Sequence, residues 1–273
     1  MTLDELLDLT ERIKVEISEL EWHEDDVRHS FFGLYYSGLY DFYIGKTTFR
    51  LAEYLGQGKV AFTGDVYDFN PHAKRLYEIQ GHPMLAAGFH NDLNRNLIFG
   101  TWTAFEFSIS LIFDYLVTDH EYESIVKKLN AKLVKAISSL EESSKILILD
   151  ILKKSSFVPL FRKFNFIVKR ITDCYPENLK EDREFIVFVG KLRNCMIHSN
   201  GYYRGNNYKY EFGETVFEFE DKQVFSQIGT NQFIYLEIAI KLKNIFKQIS
   251  NCTSDIENIP YPDDGQNVAQ QSI

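Results

Sequence analysis

Apolar residues recur at helical spacing along most of this chain. Leu3, Leu6, Ile13, Ile17 and Leu20 predict an amphipathic helix over 3–21 with an acidic outer face. From Pro83, a residue suited to a first helical turn, the pattern turns helical again, and an apolar segment runs from Leu85 through Trp102 to Val117, with Gly100 as a point where it can break. Further helices are predicted over 121–140, 144–154 and 159–173, divided at Ser155-Ser156 and Tyr175-Pro176. The period then changes to two. Tyr208-Lys209-Tyr210-Glu211-Phe212 and Thr215-Val216-Phe217-Glu218-Phe219 flank Gly213-Glu214 and predict a two-stranded hairpin. A last amphipathic helix is predicted over 230–250. The hardest stretch lies between, where aromatic residues from Phe31 to Leu55 are punctuated by Gly33, Gly38 and Gly45. Val60 to Tyr67 alternates around Gly64 and reads as a candidate short hairpin.

The sharpest pattern follows Lys180-Glu181-Asp182-Arg183. At about 100° per residue, Phe185, Val189, Leu192 and Met196 share one narrow stripe, the predicted core face. Asn194 and His198, four residues apart, line up on nearly the opposite side with Val187, and Arg193 lies between. Gly201 is placed to adopt the left-handed conformation that stops a helix. These elements predict a mainly α fold, a helical bundle with a small β-hairpin after the motif helix. Residues 1–80 read as an N-terminal helical and aromatic region without a firm boundary, 81–250 as a helical domain, and 251–273, rich in Pro, Asp and Gln, as a disordered tail.

Arg193, Asn194 and His198 thus gather at one helix end. An arginine and a histidine at comparable spacing also occur at Arg75 and His82, but without the adjacent asparagine, the helix end, the glycine stop or the hairpin beyond. In that context the run Arg193-Asn194, three residues, His198, two residues, Gly201 resembles the signature of the HEPN superfamily (higher eukaryotes and prokaryotes nucleotide-binding). Those are all-helical domains, many of them metal-independent ribonucleases. The resemblance covers the motif helix and a helical body over 83–248.

It implies RNA cleavage in which a 2′-hydroxyl attacks the adjacent phosphorus and leaves a 2′,3′-cyclic phosphate, without metal or cofactor. His198 would move protons, because an imidazole titrates near neutral pH. Arg193 would clamp the phosphate with its planar fork, and Asn194 would orient the imidazole or bind a phosphate oxygen. One histidine does not readily serve as both base and acid, so the resemblance implies a homodimer with a composite site. Ser199 would support the site, and Lys191, Arg204, Lys163 and Arg170 would bind RNA. Glu106, set between Phe105 and Phe107, requires a buried partner; it either orients Arg193 or His198 or makes a structural ion pair.

The 273 residues, 45% hydrophobic and 25% charged, suit an ordinary globular protein with a substantial core. A net charge of −9 opposes phosphate binding on average, but it is unevenly spread. Ten acids face Arg12 and Lys14 in the first 26 residues, and four acids stand without Lys or Arg from Asn251 onward. With −8 and −4 at the ends, the middle carries +3. Lys153, Lys154, Arg162, Lys163, Lys169 and Arg170 concentrate that charge before the motif helix. No continuous apolar run approaches the roughly 18 residues that span a bilayer, and the acidic N-terminus lacks a signal-peptide core, so no membrane partner and a cytoplasmic location are expected. Cys174, Cys195 and Cys252, odd in number and scattered, argue against a disulfide framework or a zinc site. The absence of a phosphate-cradling glycine loop argues against an ATPase or dinucleotide enzyme.

Two classes of function emerge. One is an RNA endonuclease acting as a toxin or antiviral defence effector, under an activator or inhibitor protein, with residues 1–80 gating the site. The other is a non-catalytic helical module for nucleotide, RNA or protein, or the scaffold or antitoxin half of a two-component system. In that second reading Arg193 is structural and His198 simply complements the helix dipole.

Overall fold

The computed structural model describes all residues except 1, 65–68, 81–82, 140, 176–177, 199–200 and 261–273; the side chains of 69, 73, 76, 77, 79, 80, 83–87, 153, 154 and 198 also lie outside it. The fold is mainly α, as the periodicity predicts. Its helices are α1 (Leu3–Ser18), α2 (Val27–Gly56), α3 (Phe69–Gln80), α4 (Pro83–Leu116), α5 (Asp119–Leu129), α6 (Ala131–Ala136), α7 (Glu142–Ser155), α8 (Leu160–Arg170), α9 (Leu179–His198) and α10 (Ile234–Asn251). One antiparallel sheet of order β1-β2-β3 joins α9 to α10, with strands β1 (Tyr208–Phe212), β2 (Thr215–Phe219) and β3 (Ser226–Ile228).

The aromatic stretch that resists reading is one 30-residue helix, α2. Val27, Phe31, Tyr35, Leu39 and Phe42 recur every three or four positions and are all buried. Gly45 is required by packing rather than by a turn: a Cβ there would sit 2.4 Å from Leu93 Cδ2 on α4. Phe246 of α10 stacks on Phe31 at 3.8 Å between centroids, and Phe105 of α4 meets it edge-on at 6.3 Å. The N-terminal helices therefore share one core with α4, α9 and α10. On α1, Leu6 and Ile13 face inward, and Glu16 pairs with Lys243 (3.0 Å) and Lys247 on α10.

α4 runs unbroken through Gly100. Its Gly88–Leu116 stretch is long and apolar enough to cross a membrane by length and composition, although polar residues interrupt it; more than half of its apolar window is buried within the fold. The expected 121–140 helix divides at Asn130 into α5, α6 and a 3-10 turn over Ile137–Ser139. Asn130 turns its amide on the Val126 carbonyl and on Ser156 Oγ, both at 3.0 Å. No hairpin forms over the described part of 60–67: Asn70 hydrogen bonds both the N–H and the carbonyl of Phe62 at 2.8 Å, satisfying the loop backbone without a partner strand.

The hairpin after α9 forms in the expected register, with Phe212 opposite Thr215 across Gly213-Glu214. Gly213 takes φ +56, a conformation that favours glycine at the first of two loop positions.

Two expectations are corrected at the C-terminus. Cys174, before α9, and Cys252, after α10, form a disulfide across 78 residues, because folding brings the two helix ends together; Cys195 is free and buried. Cysteine usage therefore gives no support to a reducing compartment. Residues 251–260, expected to be disordered, are held by a buried ion pair. Asp26 accepts from Arg28 Nε (2.9 Å) and Nη2 (2.7 Å) and from the Ile259 N–H (2.9 Å). Arg28 donates onward to the carbonyls of Thr253 and Ile256. Both side chains are fully buried.

Burial pushes the Asp26 carboxyl up, but hydrogen bonds from Arg28 and Ile259 together with the guanidinium charge outweigh it and hold the group below its ordinary value of 3.8. The pair's contribution is therefore fully present above pH 3.8 and is lost as pH falls through the depressed folded value. Asp26→Asn is expected to cost about 3–5 kcal/mol in denaturant unfolding, since it strands a buried guanidinium. The variant should also lose less stability than wild type on acidification. Equal acid sensitivity of the two proteins would contradict this assignment.

Candidate functional site at the end of the motif helix

α9 is wrapped on most of its circumference. Phe185, Ile186, Phe188, Val189, Leu192 and Cys195 are buried, and Met196, expected on the same stripe, is half-buried. Gly190 lets the helix approach α4, since a Cβ there would lie 3.2 Å from Trp102. The sheet covers another side: Phe188 stacks on Tyr210 at 4.3 Å and meets Phe217 at 4.9 Å. The polar groups of the last turns are left at the edge of this packing.

Gly201 stops the chain as expected, with φ +85 and its N–H donating to the Cys195 carbonyl at 2.7 Å. Its own carbonyl accepts from the Phe225 N–H (2.8 Å), so the helix end is tied directly to the segment leading into β3. Between α9 and the 202–206 loop lies a cavity of about 550 Å³ lined by Lys191, Asn194, Cys195, Tyr202, Tyr203 and Arg204, among others.

Lys191 Nζ donates to Tyr203 Oη at 2.8 Å and lies over the rings of Tyr203 and Tyr208 at 5.1 and 5.0 Å. Tyr203 Oη donates in turn to the Asn206 carbonyl (2.9 Å). Gly205, at φ +151, lets the loop close over this link, because a Cβ there would be 2.8 Å from Tyr203 Oη. Burial, with the Glu184 and Tyr203 charges adding to it, pushes the Tyr208 phenol up to about 12, so it remains a neutral ring beneath the ammonium. Burial also raises the Cys195 thiol, with Lys191 offsetting it only in part; this cysteine is a packed side chain and not a nucleophile at neutral pH. Arg204 is exposed and makes no ion pair among the described residues.

On the other flank, Arg193 Nη1 donates to Asn194 Oδ1 (3.0 Å), and its guanidinium carbon lies 5.7 Å from the Phe99 ring centroid. Phe99 also lines an open groove of about 600 Å³ between α2 and α4, whose walls include Leu34, Asp41, Thr103 and Phe107. Asn194 is thus engaged with Arg193. His198 closes α9, but its side chain, and Ser199 entirely, lie outside the described residues.

The other expected residues are placed elsewhere. Glu106 accepts from Trp102 Nε1 (3.0 Å) one turn earlier on its own helix and lies near Lys163, while the His198 side chain that it was expected to orient lies outside the described residues. Lys163, half-buried over the Phe113 ring at 5.6 Å, has its ammonium depressed by burial and partly restored by Asp114 and Glu106. Arg170 makes two hydrogen bonds to Glu121 (2.8 and 2.6 Å) and stacks over Phe166. These cations serve the packing of α4, α5 and α8, and neither lines the cavity. Sequence reasoning missed Tyr202, Tyr203 and Asn206, although Tyr202-Tyr203 directly follows the glycine stop. It also missed Phe99, for which the sequence holds no signal.

No family model, curated protein or solved structure matches this chain. Among the described residues, no three His, Cys, Asp or Glu side chains gather as potential metal ligands.

Tyr203→Phe keeps the ring under Lys191 but removes the hydroxyl that bridges α9 to the loop. We expect a loss of about 1–2 kcal/mol in urea unfolding at unchanged slope. An unchanged midpoint would mean that the bridge does not hold the loop.

Proposed function

We propose that this protein is a metal-independent RNA endonuclease of HEPN type. The observation that carries the reading is the grouping of Arg193, hydrogen bonded to Asn194, with His198 one turn beyond Asn194, on a helix end that opens onto a cavity carrying Lys191 and Arg204. A fixed guanidinium suits the charge that develops on a phosphorane, and an imidazole suits proton transfer near neutral pH. In this reading Asn194 holds the Arg193 fork in register, and Arg204 draws the RNA backbone toward the cavity. Phe99, beneath Arg193 and exposed toward the α2/α4 groove, offers a face on which a base next to the scissile phosphate can stack. Two copies joined near their α9 ends would give one histidine as base and the other as acid. The biological role proposed is that of a toxin or antiviral defence effector.

The test is cleavage of mixed cellular RNA in excess EDTA, with chemical identification of the new termini. Wild type is expected to leave 2′,3′-cyclic phosphates. His198→Ala and Arg193→Ala should each slow cleavage by about 10²–10⁴-fold. Arg204→Ala should weaken RNA binding and lower the slope of log affinity against log salt by about 1. Cutting that requires a metal, or that survives His198→Ala, would remove the assignment. RNA binding through Arg204 without cleavage would favour a non-catalytic binding module.

A further inference from the structure

The α6–α7 region departs from the rest of the surface in both charge and polarity. Between Lys127 and Phe157 seven lysines stand against three acids, a local +4 in a chain of net −9. The same segment exposes its large apolar side chains. Ile146 and Leu147 are each 61% exposed, Ile151 is 53%, Phe157 is 75%, and Leu133 on α6 is 43%. Ile146, Leu147 and Ile151 lie on one face of α7, while Ile148, Leu149 and Leu152 are half-buried on its other side. α7 leans on α5, so the exposed face is outermost. Lys128, Lys132 and Lys135 on α5 and α6 are exposed and make no ion pair among the described residues, in contrast to Lys127 and Lys145, which pair with Glu123 and Glu142.

Aliphatic groups in this number leave water only against another apolar phase. A second copy meeting this face symmetrically would set two segments of +4 against each other, which opposes association. RNA satisfies the lysines but gives Ile146, Leu147 and Ile151 nothing to bury against, since its grooves and backbone are polar. A bilayer surface with anionic headgroups satisfies both: the aliphatic ridge enters the acyl boundary while the lysines stay at headgroup level. We propose that α6 and α7 form a docking surface for an anionic membrane. It is independent of the ribonuclease reading and departs from the expectation, drawn from the sequence, that no membrane takes part.

The probe is the full chain co-sedimented with phosphatidylcholine vesicles containing or lacking 30% phosphatidylglycerol, at low and high salt (an ordinary fraction for such an assay, on the order of a cytoplasmic leaflet's anionic content). Binding is expected to the anionic vesicles, to be weak on neutral ones, and to fall as salt rises. A triple Lys128→Glu, Lys132→Glu, Lys135→Glu variant should bind about 100-fold more weakly. A triple Ile146→Ser, Leu147→Ser, Ile151→Ser variant should lose at least about tenfold. All five aliphatic and lysine positions on α6 and α7, and Lys128 beside them, are exposed, and circular dichroism checks that both variants stay folded. A folded wild type that ignores anionic vesicles overturns the proposal, as does either triple variant binding like wild type. If the aliphatic variant instead changes oligomeric state without any vesicle binding, the face is a contact between copies. If the lysine variant loses only RNA, the charge serves nucleic acid. Either result also overturns the proposal.

Discussion

A fully buried ion pair near the N-terminus sets the frame in which everything else is held. Asp26 caps α2, and Arg28 two residues later directs its guanidinium at that carboxylate and at the backbone beyond α10. Isolated in the interior, either charge would be strongly unfavourable; paired and hydrogen bonded at every face, they fix one geometry. Arg28 also lies over the Trp22 ring at 5.0 Å, which closes the connection from α1. The Cys174–Cys252 disulfide adds a second tie from the same C-terminal segment to the approach of α9. The start of α2 and the segment after α10 are thereby joined, and both helices pack against α4.

That frame reaches the candidate site through α4. Trp102 packs against Gly190 on α9, and Phe99, one turn away, lies under Arg193. The sheet presses α9 from another side with a row of aromatic rings, and the Gly201 turn closes the helix end. The consequence is electrostatic. Lys191, Arg193 and Arg204 collect at the end of α9 in a chain that is acidic overall, with Lys191 over Tyr203 and Tyr208 and Arg193 over Phe99. Lys163 and Arg170, equally basic by sequence, are instead absorbed by Glu106, Asp114 and Glu121 into helix packing. The location of a cation's counter-charge decides which arginines and lysines remain able to meet a phosphate.

Where sequence and structure agree, the information was local. The stripe of Phe185, Val189 and Leu192, the glycine stop and the hairpin register each follow from spacing within a few residues. Where they part, the deciding partner is remote. Gly45 answers to Leu93, Cys174 to Cys252, and the order of residues 253–259 to Asp26 and Arg28 more than two hundred positions earlier. Gly45 resembles loop punctuation only because the close approach of Leu93 that calls for it lies on another helix. At the site, Arg193, Asn194 and His198 were legible as a motif. The placement of Tyr203 under Lys191 was not, because it depends on how the turn after Gly201 folds back.

In the proposed function, the end of α9 cuts RNA by using the RNA's own 2′-hydroxyl. The most direct measurement takes an oligonucleotide spanning a mapped cleavage site and compares it with the same sequence methylated at every 2′-oxygen, in the absence of free metal. The unmodified strand is expected to be cut and the methylated strand to be bound but left whole. Equal cutting of both strands would show that water or another nucleophile attacks the phosphorus, and would contradict the account.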